Sequence, residues 1–174
     1  MSRVTTKRGD DGKTDLFLGG RLVKHHPVFE LIGTIDELSA HITLARSLGL
    51  SEDTRHDTVW IQKILIELMG EIASMPGTED RHRIKAEHVA HIDKLIDTLE
   101  KAGHDNGWLQ PDGRPSFAAL DVCRTVCRRG ERVFSQLREL GWVDNNHTLV
   151  FLNRLSDWLW LAANQKPAAK AENS

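Results

Sequence analysis

Cys123-Arg124-Thr125-Val126-Cys127-Arg128-Arg129-Gly130-Glu131-Arg132 is the stretch on which the reading of this chain turns. Its residue types suit a helix, and at 3.6 residues per turn Arg124, Arg128 and Glu131 fall on one side. Phe117 and Leu120 before it, and Phe134 and Leu137 after it, continue an apolar stripe, so much of the helix faces inward. Guanidinium groups on a helix that is partly interior need carboxylate or phosphate partners, because an unpaired interior charge is very costly. The spacing therefore predicts a packed helix that presents arginines to an anion.

Working outward, the same period recurs. Val28, Leu31, Ile32, Ile35, Leu38, Ile42, Ala45 and Leu48 mark a helix, with Pro27 suited to its first position and Gly49 to its stop. Ser51 suits the cap of a second helix running through Val59, Ile61, Leu65, Leu68 and Ile72 towards Met75, closed by Pro76-Gly77. A third fits Ile84 to Lys101 and ends at Gly103. After a turn-rich loop, 103–115, with one large aromatic, Trp108, the arginine helix runs from about Pro115 to Leu140. A last helix spans about Asn145 to Asn164 and is apolar nearly all round, as expected of a central helix or an interface helix. No segment reads as a strand and no repeat is visible. The expectation is one all-α domain over 1–174, a five-helix bundle, with a glycine-rich N-terminal loop at 1–26 and a frayed polar tail at 165–174.

Composition bounds the function. A chain of 174 residues buries about 70% of its unfolded surface and needs no disulfide or metal to hold it. With 23 Lys and Arg against 25 Asp and Glu, it lacks the basic excess of a phosphate-neutralising nucleic-acid binder. No apolar run reaches membrane-spanning length and no signal peptide opens the chain, so a soluble cytoplasmic protein is expected. Cys123 and Cys127, the only cysteines, stand one turn apart without further ligands near them and read as core residues. His88 and His91 share a helix face without a carboxylate or thiol set beside them and read as solvated.

Three further groups carry chemistry. Gly9-Asp10-Asp11-Gly12-Lys13-Thr14 invites comparison with a Walker A loop but fails it, since two residues separate the glycines where four are required. Glycines that admit backbone N–H groups to an anion, beside Lys7, Arg8, Lys13, Arg21 and Lys24, still suit a phosphate; a merely flexible charged N-terminus is the other reading. Asn153 and Asp157 cut a polar notch into the last helix, as a buried hydrogen-bonded pair or as a ligand contact. Asp36 lies within an apolar helix and reads as a buried carboxylate in need of a cation, which the arginine helix could donate.

In order, Thr6 to Thr14 with Lys24, Gly33 to Leu38, Arg124 to Arg132, and Phe151-Leu152-Asn153-Arg154-Leu155-Ser156-Asp157 resemble the motifs of the PduO-type ATP:corrinoid adenosyltransferases, over about residues 6–163. The resemblance implies a trimeric five-helix bundle with active sites between subunits. It also implies transfer of the 5′-deoxyadenosyl group of ATP, with Mg²⁺, to the cobalt of cob(I)alamin or another reduced corrinoid. Carried over by position, it puts Thr6, Lys7, Arg8, Gly9, Asp10, Gly12, Thr14 and Lys24 around the triphosphate. Arg128, Arg129, Glu131, Arg132 and Asn153 would meet the nucleotide, and Asp36 would pair with Arg124 across the subunit boundary beside the corrin. Trp108, with Phe117 nearby, would wall the lower face of cobalt, and Arg128, Asp36 and Arg124 would be the residues on which turnover depends. A corrinoid reductase and an adenosylcobalamin-dependent client enzyme are the partners such an activity implies; nucleic acid and membrane are not.

Several positions depart from the family pattern. Trp108 replaces a usual Phe, and Gln110-Pro111-Asp112-Gly113 stands for Leu-Pro-Gly-Gly. Asp121 stands for His, Val28 for Arg, Ile32 for Tyr, Gly130 for Ala, and Arg8 for a small polar residue. The altered 108–121 region motivates an alternative, a non-catalytic ATP- or corrinoid-binding carrier or sensor on the same bundle. A helical oligomerisation module is the plainest third reading.

Overall fold

The computed structural model describes residues 5, 7–17, 19–104 and 113–165. Five helices form in the expected order: α1 Pro27–Ser47, α2 Glu52–Ile72, α3 Ala86–Ala102, α4 Pro115–Glu139 and α5 Asn146–Ala163. Their ends follow local chemistry. Pro27 occupies the first turn of α1 and the His26 ring accepts from the Val28 N–H; Ser51 caps α2 by accepting from Thr54 N. Gly49, Gly103 and Gly141 close α1, α3 and α4 in the left-handed region, where a side chain would be strained.

Packing runs α2–α1–α4–α5–α3. The ring closes where Trp60 of α2 meets Phe151 of α5 edge-on at 6.2 Å and the His91 ring of α3 at 4.2 Å. This arrangement explains why α5 is apolar nearly all round: it is gripped by α4, α3 and the Trp60 edge, with Trp158, Phe151, Leu155 and Leu159 fully buried. Cys123 and Cys127 are core residues as expected; the Cys127 thiol donates to Leu152 O at 3.4 Å, and burial pushes the Cys123 thiol up to about 12. Gly130, which costs about 1 kcal/mol in a helix interior relative to Ala, has a structural reason here. A Cβ there would lie 3.2 Å from the Ile35 methyl, so its absence lets α1 and α4 approach closely.

The structure corrects three readings. The N-terminal segment contains a strand pair that sequence did not suggest, β1 Lys13–Asp15 antiparallel to β2 Arg21–Val23 with Thr14 opposite Leu22. Three-residue strands are too short to show a period, so no pattern could announce them. Helix α2 ends at Ile72 and α3 starts at Ala86, both tighter than the apolar pattern implied. For α3 the cause is buried Glu71, whose carboxylate accepts from Arg83 N at 2.7 Å and Ile84 N at 3.1 Å and so holds these residues outside the helix. The same carboxylate accepts from Asn145 Nδ2 at 2.9 Å and Thr148 Oγ1 at 2.6 Å, tying the 73–85 connector to the start of α5. Third, Asp36 is exposed on the outer face of α1 and is not a buried carboxylate.

Candidate functional site

The N-terminal loop folds back on its hairpin through a set of polar struts. Arg21 donates to the Asp11 carboxylate at 2.7 Å and also to Arg8 O, Asp11 accepts from Lys13 N at 3.1 Å, and Arg8 pairs with Asp15 at 3.0 Å. The Lys13 N–H and the Arg21 guanidinium hold the Asp11 carboxyl below the usual range. Lys24 N donates to Gly12 O at 2.9 Å, and the Lys24 ammonium lies where a Cβ on Gly9 would be 3.1 Å away, so the glycine keeps room for it. Gly12 and Lys7 both adopt positive φ, 77° and 59°. For a lysine that conformation costs about 1–2 kcal/mol, and such local strain gathers at binding loops. The loop is braced by its own arginines, and Lys7, Lys13 and Lys24 take part in no ion pair among the described residues. Arg8, Gly9, Asp10 and Gly12 lie on this loop and Thr14 in β1; Thr6 lies outside the described residues.

The second half of the candidate site is built on α4 and α5. Asn153 Nδ2 donates to Glu131 Oε1 at 3.3 Å, and Asn153 Oδ1 accepts from Arg154 Nη1 at 3.3 Å. Arg154 Nε is in turn held by Asp93 of α3 at 2.9 Å. The amide is therefore oriented from both ends, and among the described residues one N–H of it and one Glu131 oxygen make no further bond. Arg128 and Arg132 are exposed beside this pair. Arg154, Glu131 and Arg128 each act electrostatically on Asp157. Solvent reaches one side of Asp157, yet the desolvating surroundings, reinforced by Glu131, raise its carboxyl above the usual range against the pull of Arg154 and Arg128. The folded state thus binds this proton more readily than the unfolded chain, so stability contributed here is present at low pH and falls as pH rises through the Asp157 titration. Asp157→Asn should flatten that slope in a pH series of urea midpoints.

The remaining candidates separate. Arg129 turns to α1 and pairs with Glu37, so its first partner is a carboxylate of its own chain. Arg124 Nε binds Asp121 at 2.8 Å within α4, which leaves the terminal nitrogens for a second acceptor; Asp36 has no such bond to it within one chain. Phe117 is buried, with the Arg114 guanidinium 5.9 Å from its ring centroid, and lines a 350 Å³ cavity with Leu50, Leu120 and Ala162 at the α4 N-terminal end. Trp108 lies outside the described residues. His88 is half-buried, accepts from Lys85 N and boxes the start of α3, while exposed His91 meets the Trp60 ring at 4.2 Å in a tilted contact.

Sequence reasoning missed Glu71. A signal existed: Ile64, Leu68, Glu71 and Met75 follow the helical spacing of a buried stripe, and only Glu71 is charged. Among the described residues no group of three or more His, Cys, Asp or Glu is placed to hold a metal ion, and no helix is long and apolar enough to cross a membrane.

Known proteins share this architecture. Residues 4–165 match the family described as cobalamin adenosyltransferase. The chain is 36% identical to a cobalamin adenosyltransferase of Cupriavidus metallidurans, over 94% of this chain and 87% of that protein. It is 34% identical to the bovine corrinoid adenosyltransferase MMAB, over 94% and 70% of the two chains. A variant PduO-type ATP:corrinoid adenosyltransferase from Lactobacillus reuteri, complexed with cobalamin and ATP, superposes with a TM-score of 0.82 at 28% identity, covering 94% of this chain and 92% of that one. A braced cationic loop, an arginine helix beside an oriented Glu–Asn pair and matching relatives along nearly the whole chain agree: this protein belongs to the cobalamin adenosyltransferase family.

Proposed function

We propose that this chain transfers the 5′-deoxyadenosyl group of ATP to the cobalt of a reduced corrinoid, releasing triphosphate. The observation that carries the reading is the α4–α5 face, where exposed Arg128 stands beside a Glu131–Asn153 pair oriented by Arg154. Such a face offers a cation to phosphate and one directed donor and one acceptor to a nucleoside. Cobalt(I) supplies both electrons of the new Co–C bond to C5′, the C5′–O bond breaks, and the electron pair leaves with the triphosphate. No general base takes part, so the protein's contribution is alignment and stabilisation of the charge that grows on the leaving group. Arg128, Lys7 and Lys24 suit that task, with the loop glycines giving close approach. Mg²⁺ would enter on the triphosphate oxygens, as it commonly does with nucleotides.

The two halves share no hydrogen bond or ion pair within one chain among the described residues. A homotrimer, in which the loop of one subunit meets the α4 face of the next, supplies both to one nucleotide. Exposed Asp36 and the terminal nitrogens of Arg124 suit the same boundary, and an exposed ion pair there would contribute about 1 kcal/mol or less until assembly dries it. A cytoplasmic setting, with a reductase to deliver Co(I) and a client enzyme to take the product, fits this chemistry.

Anaerobic mixing of the protein with MgATP and chemically reduced cob(I)alamin tests the reading. The photolabile spectrum of adenosylcobalamin is the expected result; binding of ATP without product would instead leave a carrier or sensor. A plain oligomerisation module predicts no thermal shift with MgATP, whereas ligand at 100 times its Kd adds about 2.7 kcal/mol. Trp108→Ala should leave ATP affinity within about twofold while impairing formation of four-coordinate cob(II)alamin, read by electron paramagnetic resonance. Collapse of ATP affinity would move Trp108 to the nucleotide side.

A further inference from the structure

Two strands of three residues do not hold themselves together in water, so the hairpin that carries the cationic loop must be ordered by what it rests on. It rests on the core through Leu16 and on the 73–85 connector through two contacts. Leu16, at the hairpin bend, is buried in the core cluster. Gly19, at φ 142°, lies so close to Met75 that a Cβ would fall 2.0 Å from Met75 Cγ. Phe17, 67% exposed, receives the Arg83 guanidinium at 5.5 Å from its ring centroid.

Arg83 is itself held at its backbone N–H and at one end of its guanidinium, while its buried Nε makes no hydrogen bond among the described residues. Its N–H donates to Glu71 and its Nη1 to Glu67 at 3.1 Å. Its guanidinium lies flat against α2 at Gly70, where a Cβ would sit 3.0 Å from Cζ. The guanidinium therefore has Gly70 of α2 and the Phe17 ring as neighbours. Gly70 lies in the last turn of α2, and the lack of a side chain there leaves room for the guanidinium.

We propose that the Glu71-anchored connector is the seat of the nucleotide loop, and that Arg83 and Met75 are positioning residues that order the β1–β2 hairpin for ATP. The inference rests on the reading that this loop binds the triphosphate. Without the seat, the loop would be ordered by ATP at the moment of binding, and the entropy of ordering would be subtracted from affinity.

Phe17→Ala removes an exposed ring and does not threaten the fold; Gly70→Ala displaces the guanidinium and keeps every charge. Both, and Arg83→Ala, should speed amide exchange at 13–15 and 21–23 by at least tenfold in the free protein. They should raise the KM for MgATP about fivefold or more, leave the KM for cob(I)alamin within twofold, and regain exchange protection at saturating MgATP. Lys24→Ala, measured alongside, tests the underlying reading. If Lys24→Ala raises the ATP KM and the three seat variants change neither exchange nor ATP KM, the seat is refuted alone. If Lys24→Ala leaves ATP KM unchanged while the seat variants still loosen the hairpin, the assignment of the loop to ATP fails instead. A rise in both KM values together, with a matching fall in Tm, would reduce Arg83 to a general structural role and overturn the proposal.

Discussion

Glu71→Ala should remove about 3–5 kcal/mol of unfolding free energy, a loss as large as truncating a fully buried aromatic. The carboxylate is 1% exposed and accepts from four donors: two backbone N–H groups, an amide and a hydroxyl. Truncation leaves these donors buried without an acceptor, at about 1 kcal/mol or more each. A domain of this size holds about 5–15 kcal/mol in total, so the variant would be marginal. Glu71→Gln should lose only about 1–2 kcal/mol, because its carbonyl can keep the Arg83, Ile84 and Asn145 bonds while its amide donates to the Thr148 hydroxyl. Urea titrations read both. A fall in midpoint at constant slope is expected, and a loss under about 1 kcal/mol for Glu71→Ala would show that the connector is not held as described.

Arg128→Ala should lower kcat/KM for MgATP between tenfold and about a hundredfold, with a native urea midpoint. Arg128 is exposed and makes no hydrogen bond in the described structure, so its removal costs the free protein little. A charge-assisted bond to phosphate contributes about 1.5–3 kcal/mol, and 1.4 kcal/mol is a factor of ten. Loss confined to KM would mean that Arg128 binds substrate and transition state equally; loss in kcat would mean that it meets charge growing on the triphosphate. Steady-state rates at varied ATP and fixed cob(I)alamin separate the two, and unchanged kinetics would remove Arg128 from the site. Arg129→Ala provides a contrast, since Arg129 is paired with Glu37 across α1 and α4.

The helices were legible because each rests on a repeating apolar spacing with a proline, serine or glycine at its ends. Legibility stopped where the determinant was a single buried group. One carboxylate, Glu71, delays α3 and pins α5, and nothing in the local period of 83–85 marks those residues as withheld from a helix. The candidate site shows the same division. Arg128, Glu131 and Asn153 could be named from the sequence, but the bonds that orient Asn153 come from Arg154 and, behind it, from Asp93, 61 positions away in sequence from Arg154.

By itself the sequence determined that this chain is an all-α bundle, which helices it contains, and that one of them carries arginines for an anion; all three follow from periodicity and charge, which are local. Only the tertiary structure decided which arginines are committed within the chain and which stay open. Arg129 is taken by Glu37, Arg124 shares Nε with Asp121, Arg8 and Arg21 brace their own loop, and Arg128 remains unengaged. Partner choice depends on distances across elements, and those distances exist only once α1, α4 and the hairpin have packed.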